Sequence, residues 1–374
     1  MRCLCFFFLF WGCSNPTKKA SIDTSVVDLD SGEVPDAGPL GWPVTSPGPY
    51  QVGYRSLNVT YSPGADFSDR TIRLNIWYPT EDDSGSRAEY TVGFDDGAYL
   101  DATPAPSVHE GGYPVHIHSH GFQGYGATSA FLSRYFATHG WLTVAPDHTD
   151  NTLLDHRDPL PSAHYFHRPL DVQVALDTLG GLPSGDPLAG MANVGRSVVS
   201  GHSFGAYTTW ASAGATYDLD RVTEMCTSGE GIHDDGCTSE EEAMFATELA
   251  DPRIVSSIPM AGTLRRNWFG DAGELSVQGP VLFFGGTEDD RGQQDQFDQM
   301  GAIDFTWMEV EGACHQTFAL GACGTLDTEL GFSIIQTIGL AFARWTVLED
   351  DQPEVAAIAT GEQSISEIVT TQRR

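Results

Sequence analysis

Lysine is almost absent: of 374 residues only Lys18 and Lys19 are lysines, and every later cation is an arginine. Basic residues are scarce altogether, 19 against 51 acidic ones, giving a formal net charge of −32. Such a surface repels phosphate backbones and anionic headgroups, which excludes nucleic-acid binding and polybasic membrane contacts. A lysine-free acidic surface fits a salt-rich habitat or ordinary solubilising charge, and says nothing of fold. Cysteine is sparse too, with seven residues and no CxxC or Cys/His spacing of a zinc site. No internal repeat is visible. What is plentiful is core-forming material: 40% hydrophobic and 11% aromatic residues exclude a disordered chain and allow one large domain or two small ones.

Residues 1–13, MRCLCFFFLFWGC, carry one arginine and then an apolar run of signal-peptide length, too short to span a bilayer. The segment is an export signal. Its end, Gly12-Cys13-Ser14, resembles the bacterial lipoprotein box, which makes Cys13 the lipidation candidate; ordinary cleavage nearby is the alternative. The expected destination is the bacterial cell envelope, lipid-anchored, or the medium. Residues 14–47 are rich in Ser, Asp, Pro and Gly without an apolar face, so a flexible acidic linker is expected. Residues 348–374 read as a polar C-terminal tail, leaving 48–347 as one domain of ordinary enzyme size. That body holds Cys226, Cys237, Cys314 and Cys323. Of three possible pairings the sequence-local one joins Cys226 to Cys237 and Cys314 to Cys323, with free buried thiols as the alternative.

Within the body, strand and helix patterns alternate. RTIRLNIWY (70–78), YPVHIH (113–118), WLTVAP (141–146), 196–200, 253–260, 280–284 and 304–310 read as strands. Helical spacing recurs over 128–139, at Val172, Ala175, Leu176 and Leu179, and at Ile334, Ile338, Ala341, Phe342 and Trp345. Pro169 is expected at the first turn of its helix. The alternation predicts an α/β fold with a mostly parallel sheet covered by helices on both faces.

Between the strand RSVVS and the helix AYTTWASAGA lies Gly201-His202-Ser203-Phe204-Gly205, a G-x-S-x-G pattern on a strand–turn–helix. Glycines there allow a strained turn that projects the serine hydroxyl from the carboxyl edge of the sheet. Serine needs a base to take its proton and a carboxylate to orient that base, in the chain order Ser, acid, His. Asp289 lies after the strand VLFFGG, and His315 after the next, FTWMEV; both reach the same edge as Ser203. Glu288 and Asp290 compete with Asp289, and His233 competes with His315. Stabilising an oxyanion requires N–H donors. Phe204, next after Ser203, and Phe122, after His120-Gly121, are the expected backbone donors.

HSHGFQGY, VAPDHTDNT, RPLDVQVALDTL, SGHSFGAYTT, DPRIVSSIPMAG, LFFGGTEDD and EGACHQTF together resemble the bacterial branch of α/β-hydrolases related to platelet-activating factor acetylhydrolases and dienelactone hydrolases, with cutinase-like polyester hydrolases as a neighbouring branch. The resemblance spans about 48–345. It implies Ser203 as nucleophile, Asp289 as acid, His315 as base, Phe122 and Phe204 as oxyanion donors, and an exported serine ester hydrolase that needs no cofactor and no metal. Implied substrates are short-chain carboxylesters or phospholipid acyl groups, with polyesters as the alternative; the acidity disfavours anionic ones at the pocket mouth. Residues 216–252, with eleven Asp/Glu and one arginine, depart from the pattern as an acidic insertion, either a lid or a solvated excursion.

Trp268 and Phe269 are candidates for an acyl pocket. His148, Asp150, His156, His164 and His167 have no spacing that suits a metal site. A monomer is expected. From a different class, a non-catalytic surface-binding lipoprotein on the same fold would have no need of a full Ser, Asp, His order.

Overall fold

The computed structural model describes residues 38–158, 160–228, 237–263 and 266–374. The expected export signal, Cys13, most of the expected linker and His233 lie outside the described residues. In chain order the elements begin with β1 (Gln51–Tyr61), β2 (Arg70–Thr80), β3 (Arg87–Glu89), β4 (Phe94–Leu100), β5 (Tyr113–Ser119), α1 (Ala130–Thr138), β6 (Leu142–Asp147) and α2 (His164–Gly180). They continue through β7 (Ala192–His202), α3 (Phe204–Ser212), α4 (Leu219–Ser228), α5 (Ser239–Met244), β8 (Ile254–Met260) and α6 (Arg266–Gly273). The last are β9 (Val281–Gly286), α7 (Gln293–Gln299), β10 (Phe305–Val310), α8 (Thr328–Val347), α9 (Pro353–Thr360) and β11 (Val369–Arg373).

The described strands form one sheet in the order β11-β10-β9-β8-β7-β5-β6-β2-β1-β4-β3. From β6 to β10 all neighbours are parallel, while β2 joins β6, and β1 joins β2, antiparallel. The central parallel strands β5, β6 and β9 are buried along their whole length, as strands covered on both faces are, and β9 (VLFFGG) reads as a continuous apolar run. In β9 the pleat divides the core: Leu282 and Phe284 pack with α1, α8 and α9, whereas Val281 and Phe283 pack with α3 and the aromatics of the opposite layer. This is the α/β-hydrolase fold.

Two end segments differ from the expectation. In the polar-looking tail, Val355, Ile358 and Ala359 bury one face of α9, and β11 pairs antiparallel with β10 at the sheet edge. Three apolar residues at i, i+3 and i+4 suffice for a two-turn helix on an existing core, yet weigh little in composition. The end of the linker is also docked. Buried Arg344 donates to the carbonyl oxygens of Trp42, at 2.6 Å, and Leu40, and Val44 joins the core.

Pro169 is the third departure, because α2 begins at His164 and the proline sits inside it. Proline lacks the N–H that would bond the carbonyl four residues back. That carbonyl, on Tyr165, instead accepts from the hydroxyls of Tyr207 at 3.0 Å and Tyr217 at 2.8 Å. Tertiary partners satisfy the group freed by the ring, so the helix extends a turn and a half before it.

Candidate active site

The β7–α3 turn holds Ser203 at φ 56°, ψ −112°, a left-handed backbone that β-carbon residues avoid. The flanking glycines are there for closeness. A β-carbon on Gly205 would lie 1.9 Å from the Ser119 carbonyl oxygen, and one on Gly201 would lie 2.1 Å from that of Gly205. Only bare backbone permits the helix to start this close to β5.

His315 opens a short 3₁₀ turn, His315–Phe318, after β10. The Ser203 hydroxyl donates to its Nε2 at 2.9 Å, and its Nδ1 donates to Asp289 Oδ2 at 2.7 Å. Asp289 follows β9, and its carboxylate alone among the three acids considered accepts from His315. Asp290 instead accepts the Gly292 N–H at 3.0 Å, and Glu288 donates its N–H to the Ala313 carbonyl. Burial pushes the Asp289 carboxyl up, but the hydrogen bonds and charges of His315 and Arg291 outweigh it and hold the group below its usual range.

Two features of this arrangement escape sequence reasoning. Arg291 Nε donates to the other oxygen of Asp289 at 2.7 Å, so the carboxylate is bound on both sides. His202, the variable residue before Ser203, donates from Nε2 to the His315 carbonyl at 2.9 Å and ties the two loops together. Burial, followed by the charge of His315, pushes His202 down to about 3, so it acts as a neutral donor. The disulfide Cys314–Cys323 closes the loop that carries His315, and Cys226–Cys237 closes the insertion.

Beside the serine, Gly121 runs so near that a β-carbon on it would stand 3.3 Å from Ser203 Cβ. Gly121 thus carries the chain past the serine into Phe122, which lies on the same cleft as Phe204. Both phenylalanines border an open cleft of about 380 Å³ with Leu160, Tyr165, Thr263, Arg291, Ser203 and His315. Its wall contains no carboxylate among the described residues, and the half-exposed Arg291 lends it a cation.

Trp268 and Phe269 do not line this cleft, contrary to the expectation. Both are fully buried; Trp268 packs 4.4 Å behind Tyr165 and Phe269 stacks on Tyr207 and Tyr217. An aromatic pair after a strand does not reveal which side of its turn faces the cavity. Leu160 and Tyr165, from the β6–α2 connection and the first turn of α2, take the positions instead. The described part of 216–252 supplies no wall either, and Tyr217 and Phe245 fasten it to the aromatic layer.

No family model and no curated protein matches the sequence. Among solved structures the chain is similar to a ferulic acid esterase from Streptomyces cinnamoneus, with a TM-score of 0.60 and 20% identity over 89% of this chain and 99% of that one. The likeness is one of fold.

Proposed function

We propose that the protein is an exported serine ester hydrolase of the carboxylic-ester class. The observation that supports this reading is the unbroken hydrogen-bond chain Ser203–His315–Asp289 at the floor of an open cleft. His315 takes the Ser203 proton as Oγ attacks the ester carbonyl, and Asp289 holds the imidazole in the tautomer with its proton on Nδ1. The amides of Phe122 and Phe204 receive the oxyanion. His315 then gives the proton to the departing alcohol and activates the water that clears the acyl-enzyme. Residues 1–13 direct export, with Cys13 as the lipid anchor.

A cleft of about 380 Å³ lies at the small end of ligand pockets, which favours short or compact acyl groups on neutral or zwitterionic esters, such as short-chain carboxylesters or short-acyl phospholipids. A second reading has its own support. Phe122, Tyr165 and Phe204 give the cleft aromatic walls, which suit an aromatic acyl group of the kind the ferulic acid esterase acts on by its name.

The test compares wild type with Ser203→Ala on p-nitrophenyl esters of rising chain length, a short-acyl phospholipid, methyl ferulate and a polyester film. Loss of all turnover in a folded Ser203→Ala variant is expected, with the best substrate among the shortest or the aromatic esters. Undiminished turnover would sink the proposal.

A further inference from the structure

Beneath the two loops that border Ser203 lies a buried guanidinium to which the hydrolytic scheme gives no role. Arg168, in α2, is 0% exposed. Its Nη2 donates to the carbonyl oxygen of His120 and to Ser119 Oγ at 3.1 Å, its Nη1 to Asn151 Oδ1 at 2.7 Å, and its Nε to Thr208 Oγ1 at 3.1 Å. The guanidinium carbon stands 4.4 Å over the Phe204 ring. Among the described residues no carboxylate is bonded to it. Asp171, one turn on, is committed to Arg70 at 2.8 and 2.9 Å and to His148 Nδ1 at 2.8 Å, and His148 reaches back to Ser119 Oγ at 2.9 Å.

Burying an unpaired cation is costly unless its donors are satisfied, so what it binds is informative. Apart from Asn151, in the β6–α2 connection, the partners fall into two groups. His120 and Ser119 belong to the segment that leads into the Phe122 amide, while Phe204 and Thr208 belong to the first two turns of α3, whose leading amide is that of Phe204. His120 is fixed from a second side, its Nε2 accepting the His148 N–H at 3.0 Å while its Nδ1 donates to the Gly121 carbonyl at 2.7 Å.

We propose that Arg168 is a positioning residue that sets the spacing of the two oxyanion donors, by holding the His120 carbonyl with one arm of its fork and the α3 start with its Nε and its stacked face. A planar fork with a flat face is required for this; lysine carries the charge but not the geometry. The inference rests on the Ser203 hydrolase reading.

The test measures Arg168→Lys against wild type on an oxygen ester and its thionoester analogue, after Ser203→Ala has been shown to be inactive. Sulfur is larger and a weaker acceptor, so a well-spaced pair of N–H donors discriminates against it. Removal of one such donor costs about 10²–10³ in kcat; the lysine variant is expected to lose about 10–100-fold in kcat with KM within about threefold, and its preference for the oxygen ester should fall in parallel. Unchanged kcat, or a fall in kcat with the wild-type oxygen-to-sulfur ratio, overturns the proposal. If Arg168→Lys does not fold, Thr208→Val decides the matter, since it nearly keeps the side-chain shape and removes the Nε acceptor together with the hydroxyl's 3.3 Å bond to the Phe204 carbonyl, both of which hold the start of α3. It should lower both kcat and the ratio several-fold, and a wild-type ratio there overturns the proposal equally. A wild-type enzyme without esterase activity would instead strike the underlying reading, independently of either variant.

Discussion

Asp289 and Asp290 differ by one position and by everything that matters at the residue scale. One carboxylate accepts from His315 and Arg291, the other from the Gly292 N–H of its own turn. Asp289→Asn should therefore lower kcat by about 10³–10⁴, through loss of the correct imidazole tautomer, whereas Asp290→Asn should stay within about threefold. Steady-state kinetics on one p-nitrophenyl ester reads both, and a reversed order would reassign the acid. Ser203 was legible because G-x-S-x-G is a local pattern with a local mechanical reason. The acid is named from sequence as Asp289 with Glu288 and Asp290 left in competition, since neighbours in a turn share topology and only side-chain direction separates them. Arg291, His202 and Arg168 were invisible for a related reason: each acts through a partner between 2 and 113 positions away, and nothing in its own surroundings marks it.

At the scale of elements, the loops after β9 and β10 carry the candidate acid and base, and one disulfide braces the second of them. Cys314–Cys323 flanks His315, while Cys226–Cys237 belongs to an insertion whose described residues stay outside the cleft. Closing a loop of about ten residues stabilises by roughly 2–3 kcal/mol. Cys323→Ser should lower the melting temperature by a few degrees and bring inactivation to a lower temperature than global unfolding. Cys237→Ser should leave kcat on small esters within about twofold. Thermal inactivation and melting curves measured side by side check this, and an activity loss confined to the Cys237 variant would contradict it. The parallel strands and the long helices were readable from apolar periodicity. By contrast, α9, β11 and the start of α2 were not, because a pre-existing core, a partner strand and two tyrosine hydroxyls override weak local signals.

On the scale of the whole molecule, the charge of −32 solubilises the surface, while the interior carries a different titration. His116, His148 and His202 are buried and burial pushes each down to about 3; His118 and His120 are pushed well below the usual imidazole value for the same reason. The unfolded chain protonates its histidines near pH 6.5, while the folded protein keeps these neutral. Between the two values the unfolded state holds more protons, so stability falls as pH falls, by up to about 1.4 kcal/mol per pH unit for each group. The carboxyl of Asp171 is raised by burial but drawn far down by Arg70 and His148, so its stabilisation is lost only below about pH 4. The melting temperature should drop steeply between pH 7 and 5, with calorimetric proton uptake on unfolding at pH 5.5; a flat profile would contradict the buried neutral histidines.

The central claim is that Ser203 is a nucleophile activated by His315. Its most direct measurement is labelling of the folded protein with a fluorophosphonate, followed by peptide mass mapping. One adduct per chain is predicted, on Ser203, and it should vanish in denatured protein and be strongly slowed in His315→Ala. An unlabelled folded protein, or an adduct on another residue, would contradict the account.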